Sequence, residues 1–130
     1  MEKKLFPFLF GMAQEDSAPI VLCNLNHEIV YMNPAAAKHY ARSGGADLVG
    51  KSLLACHGKK SGQRIEEVIH WFQANRENNR IYTFYNEEEN KDVYMVALRD
   101  EAGNLIGYYE KHEYRDREDG KFYDYEDKDF

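Results

Sequence analysis

The chain has 130 residues and a formal net charge of −6, and it is 43% hydrophobic and 31% charged. That length suits one domain around one core, and the apolar share excludes general disorder. No compact basic block is present, which excludes nucleic acid as the expected partner because phosphate binding needs clustered Lys and Arg. Two cysteines, Cys23 and Cys56, are too few for a secreted disulfide framework and fit a reduced, cytoplasmic setting.

At the N-terminus, Lys3 and Lys4 precede the apolar run Leu5–Ala13. The run is broken by Pro7 and is far shorter than the about 20 apolar residues a membrane-spanning helix needs, so it reads as a helix and neither as a span nor as a secretory leader. Pro7 suits the first helical turn, and Phe6, Leu9, Phe10 and Ala13 fall at helical spacing up to Gln14. Leu5, Phe8 and Met12 spread apolar surface onto the other faces. A helix apolar nearly all round must be covered, either by its own domain or by a second copy through Phe6, Leu9 and Phe10. The second alternative makes the chain a homodimer. Glu15-Asp16-Ser17-Ala18 leads on as a linker, so residues 1–18 stand apart from the domain that follows.

Ile20–Asn24 is a short β-rich run, Leu25-Asn26-His27 a turn, and Glu28–Met32 a second strand. Asn33 is a good N-cap, Pro34 suits the first helical position, and Ala35-Ala36-Ala37 favours helix, which should run to the glycines at Ser43-Gly44-Gly45. Asp47–Leu54 reads as short turns around Gly50. Ser61 can cap a longer helix over 62–75, with Ile65, Val68, Ile69 and Phe72 in one apolar stripe. His70 points away from that stripe.

The period then changes from helical to alternating. Strands are expected at 80–85, 92–98 and 105–114, joined by the charged turn Asn86–Asn90 and by Asp100–Asn104. Tyr82, Phe84, Tyr94 and Tyr108 are candidates for the sheet face under the helices, with the register open. His27 and His112 read as surface residues. From Arg115 to Phe130 the chain is an acidic tail with spaced aromatics, either solvated or anchoring to a partner. Strands clustered beside helices argue for an α+β fold.

Three segments in this order resemble a PAS domain: Glu28–Ala36, Asp47–Leu53 and Arg99–Gly107. They look like that family's second strand and helix start, its central glycine turn and its last hairpin, over residues 19–114. The resemblance implies a five-stranded antiparallel sheet with helices over one face, in addition to the N-terminal helix. It also implies a sensory module that holds a ligand between sheet and helices. No kinase, cyclase or DNA-binding segment follows, so the chain is expected to be a stand-alone module or to have a separate signalling protein for output. Cys56-His57-Gly58-Lys59-Lys60-Ser61 is similar to the Cys-His-Pro-Pro-Lys-Ser segment of PAS domains attached to bacterial hemerythrin-like proteins, with glycine and lysine in place of the two prolines.

The ligand is then a small molecule or haem, with Leu53, Cys56, His57, Tyr40 and Ile69 as the candidate pocket residues. His57 or Cys56 is the candidate haem iron ligand, since imidazole and thiolate both bind iron. The alternative for the pair is a helix-end cysteine packing as a small hydrophobe beside a loop histidine. Their spacing does not make a structural zinc site. Flavin is not expected, because Leu53, and not a cysteine, stands where light-oxygen-voltage PAS domains carry their reactive thiol. No catalytic elbow, phosphate loop or dinucleotide motif is present, so the chain is not read as an enzyme. The other class of function is a ligand-free interaction or dimerisation scaffold, built on the N-terminal helix and the aromatic tail.

Overall fold

The computed structural model describes residues 4–56 and 58–123. In chain order the elements are α1 (Phe6–Gln14), β1 (Val21–Asn24), β2 (Ile29–Met32), α2 (Pro34–His39), 3₁₀ turns at Ala41–Ser43, Gly45–Leu48 and Leu54–Cys56, α3 (Lys59–Ala74), β3 (Arg80–Asn86), β4 (Lys91–Arg99) and β5 (Leu105–Tyr114). The strands form one five-stranded antiparallel sheet in the order β2-β1-β5-β4-β3. The last three strands are the expected meander. The first hairpin joins it by laying β1 against β5.

The core lies between the sheet and the chain that crosses from β2 to β3. The α3 stripe buries Ile65, Ile69 and Phe72, and these pack with Cys23, Ile29, Leu48, Met95 and Tyr108. Each such side chain contributes about 1.5–3 kcal/mol when fully buried. Along β4 the burial alternates, with Lys91, Val93 and Met95 inward. Cross-strand pairing then sets the inward residues of β5, because Ala97 faces Tyr108, Met95 faces Glu110 and Val93 faces His112.

That pairing corrects two expectations. His112 is not a surface residue: it is 9% exposed, because it shares the inner face with Tyr108. Tyr82 and Tyr94 are on the opposite face. Their rings meet at a tilt with centroids 5.4 Å apart, the Arg80 guanidinium lies 4.2 Å over the Tyr94 ring, and the Tyr82 hydroxyl donates to Asp92. Phe84, beyond the irregularity in β3, stays exposed. Tyrosines occupy both faces of this sheet, so alternation of residue type did not reveal which face was covered.

Helix ends also shift. Asn33 caps α2 as expected, its Oδ1 accepting from the Ala36 N–H at 2.8 Å. However, α2 stops at His39, and tight 3₁₀ turns take its place up to Leu48. Helix α3 begins at Lys59 with Gly58 in an extended conformation as its N-cap, and Ser61 already lies inside it. At the other end, Arg99 of β4 closes α3. Its guanidinium donates to the Phe72 carbonyl at 2.6 Å and to Asn79 at 2.6 Å. This satisfies a carbonyl that helix geometry leaves open.

Candidate ligand-binding site

The segment after α2 does not hang free. It is stitched to the outer edge of β2: Gly50 N–H donates to the Ile29 carbonyl at 2.7 Å, Ile29 N–H to Lys51 at 2.9 Å, and Leu53 N–H to His27 at 2.7 Å. Gly50 turns at φ 93°, a region that favours glycine. The stitching holds Leu48 and Leu53 over the inner face of the sheet. Between them, Ile65 of α3 and the sheet lies a cavity of about 240 Å³.

The cavity wall is mostly apolar. Strands β1 and β2 contribute Val21, Ile29 and Met32, and β4 contributes Met95. The polar residues on it include Cys23, Tyr40, Ser43, Tyr108, Glu110 and His112. Burial pushes the Cys23 thiol up to about 11 and the Tyr40 hydroxyl up to about 12, where the Glu110 carboxylate adds to the shift. Tyr108 is also raised, by burial first and by Cys23 next. All three are therefore neutral hydrogen-bonding groups near pH 7. The Tyr108 hydroxyl lies 2.8 Å from the His27 Nδ1, which makes His27 half-buried rather than a free turn residue.

At one end, His112 Nε2 lies 3.2 Å from Glu110 Oε1; the imidazole is 5% exposed and the carboxylate 43%. Glu110 thus sits where the polar end meets solvent. The other ring nitrogen, His112 Nδ1, is buried and has no hydrogen-bond partner among the described residues. The His39 ring stands edge-on to His112 at 6.2 Å and to Tyr40 at 4.6 Å.

Among the residues expected to form the pocket, Leu53 and Tyr40 line the cavity. Ile69 is buried in the core behind it. His57 and the side chain of Cys56 lie outside the described residues. Sequence reasoning missed Cys23, Glu110 and His112. The signal for the last two was the spacing of Tyr108, Glu110 and His112 by two, which places them on one face of a strand.

The size of the cavity discriminates between ligands. It lies between an apolar site of about 150 Å³ that holds benzene and the about 300 Å³ at which drug-sized sites begin. That size suits one or two fused rings. Among the described residues, no group of three or more His, Cys, Asp or Glu is placed to hold a metal ion.

No family model and no curated protein matches the chain. Solved structures do. The C-terminal domain of a protein from Streptococcus mutans superposes with a TM-score of 0.62 at 20% identity, over 83% of this chain and 83% of that one. The PAS domain of a protein from Colwellia psychrerythraea superposes at 0.61 and 11% identity, over 85% of this chain and 97% of that one. This chain has the PAS fold. The Aer2 receptor from Vibrio cholerae, described as a dual PAS-heme oxygen sensor, superposes with a TM-score of 0.52 at 19% identity over 73% of this chain and 91% of that one. In this PAS fold the cavity lies between the sheet and the crossing helices, with β5 supplying the polar end.

Helix α1 stands apart from that core. It has no buried residue. Phe8 and Met12 are each 73% exposed and Phe6 63%. Phe10 meets the Tyr31 ring edge-on at 6.0 Å, and the Tyr31 hydroxyl donates to Gln14 at 2.7 Å. The helix therefore rests on β2 by one edge and leaves most of its apolar surface open. Among the described residues, no helix is long and apolar enough to cross a membrane. The first residues of the acidic tail remain attached to the domain, because Arg115 pairs with Asp92 at 2.6 Å and Asp116 accepts from Asn90 at 2.7 Å.

Proposed function

We propose that the chain is a sensory module that binds a small, largely apolar molecule in the cavity between sheet and helices. The observation that carries this reading is the cavity of about 240 Å³ with apolar walls and a polar end. A well-packed core has few voids larger than a water molecule, so a space this large inside a 130-residue chain costs stability unless something fills it. The haem version of the reading gains no support from the size of the cavity.

Occupancy has a route outward. Tyr40 on the cavity wall sits at the C-terminal end of α2, and Asn33 at the other end of α2 holds the last turn of α1. A ligand that shifts α2 biases the position of α1, whose open apolar surface then meets a second copy or a separate signalling protein.

The test is native mass spectrometry of the purified chain, followed by thermal unfolding with a panel of one- and two-ring neutral compounds. A retained small molecule, or a rise in Tm that is lost when Leu53→Trp fills the cavity, is expected. No retained mass and no shift with any compound would sink the reading.

A second reading, a ligand-free dimerisation scaffold, is favoured by one observation, the bare apolar surface of α1. Phe6→Ser with Leu9→Ser should convert a dimer to a folded monomer in light scattering, while leaving the Ala13 contact with Asn33 intact. An unchanged mass counts against a role for α1 in assembly.

A further inference from the structure

The polar end of the cavity holds a buried acceptor that nothing described in the protein uses. His112 is 5% exposed at its side chain, lines the cavity, and leaves Nδ1 without a hydrogen-bond partner among the described residues. Leaving a buried polar atom unpaired costs about 1–3 kcal/mol, and such atoms in native folds ask for an explanation.

The chemistry of the missing partner follows from the other ring nitrogen. Nε2 faces Glu110 Oε1 at 3.2 Å. An ionised carboxylate can only accept, so an imidazole that holds one proton carries it on Nε2 and presents a lone pair at Nδ1. The missing partner is therefore a donor, an N–H or an O–H. Its carrier is uncharged or nearly so. The Glu110 carboxylate on the wall disfavours an anion. No lysine or arginine lines the cavity to offset this, and the buried Lys91 of β4 is paired with Glu89 at 3.1 Å. The remaining wall is mostly aliphatic, thioether and aromatic, with Cys23, Tyr40 and Ser43 as its other polar groups, and the volume suits one or two fused rings.

We propose that the ligand is a neutral one- or two-ring molecule with a single N–H or O–H donor, of the indole or phenol class, whose donor meets His112 Nδ1. This rests on the ligand-binding reading of the cavity and adds to it the recognition group. His112 acts as the specificity residue: the apolar wall accepts any ring of the right size, and the lone pair selects rings that donate.

The experiment is calorimetric titration of the full chain with three probes of similar shape: indole, benzofuran, which replaces the N–H with an ether oxygen, and naphthalene, which has no heteroatom. Indole is expected to bind about tenfold more tightly than the other two, and the preference should vanish in His112→Leu. Circular dichroism checks that this variant is folded. If it is not, His112→Phe, which keeps a ring, replaces it, and the comparison in the unchanged chain stands by itself. Equal affinities of the three probes in the unchanged chain overturn the role of His112 and leave the cavity as a binding site. A preference for indole that survives in the variant also overturns it. Failure of all three probes to bind overturns both the role of His112 and the ligand-binding reading on which it rests.

Discussion

The side-chain amide of Asn33 donates to the carbonyl of Ala13 at 3.0 Å, which ties the last turn of α1 to the first turn of α2. The same amide donates to Ala18 at 3.0 Å and Asp16 at 3.3 Å, while its oxygen accepts from the N–H groups of Ile20 and Ala36. One fully buried side chain thus satisfies backbone groups on both sides of the linker.

Asn33→Ala should lower the unfolding free energy by about 2–4 kcal/mol, since it removes a helix cap and leaves buried carbonyls unpaired. Asn33→Asp separates the two roles. Aspartate is as good a cap as asparagine, but it turns a carboxylate toward the carbonyls of Ala13, Asp16 and Ala18. Urea unfolding should show Asn33→Asp nearly as destabilised as Asn33→Ala. An Asn33→Asp variant as stable as the parent would mean that only the cap matters.

Gly107 in β5 lies against β1 so closely that a Cβ placed on it would be 2.1 Å from the Cys23 carbonyl oxygen. The obstacle is backbone, which cannot move aside without breaking the pairing of Cys23 with Tyr108. Gly107→Ala should cost at least about 2 kcal/mol. Hydrogen exchange should locate the damage, with protection lost first at the amides of β1 and retained in β3 and β4. Uniform protection across the sheet would refute this account.

The alkaline limb of stability follows from the cavity wall. Burial raises the Cys23 thiol to about 11, whereas an unfolded cysteine ionises at about pH 8.5. Between those values the unfolded chain has released a proton that the folded chain still holds, so stability falls as pH rises through this window and is fully present below it. Tyr40, raised to about 12, extends the fall upward in the same direction. Urea midpoints measured across this range should decline with pH, and Cys23→Ala should decline less steeply. Equal slopes for the two proteins would show that the thiol does not contribute. In the folded chain, Cys23 should also resist thiol reagents near neutral pH, because the reactive species is the thiolate.

How much was legible in the sequence depended on the range of the physics involved. Asn33-Pro34 announced a helix start because capping involves residues within one turn. The stripe Ile65, Val68, Ile69 and Phe72 announced the buried face of α3 for the same reason. The segment around Gly50 was expected at the pocket, and Leu48 and Leu53 do line the cavity. Gly58 was passed over as the start of α3, because Ser61 is the better cap by residue type and only the extended backbone at Gly58 decided otherwise.

The sequence by itself determined the order of strands and helices, the capping of α2, the α+β class and the apolar character of α1, since each depends on spacings of a few residues. Only the tertiary structure decided which face of the sheet is covered. Val93 stands opposite His112, and Cys23 opposite Tyr108, and these pairings join residues far apart in the chain. A slip of one residue would have turned His112 outward and Lys111 inward. The buried, unpaired imidazole nitrogen at the polar end of the cavity is thus a product of strand register, which no local pattern encodes.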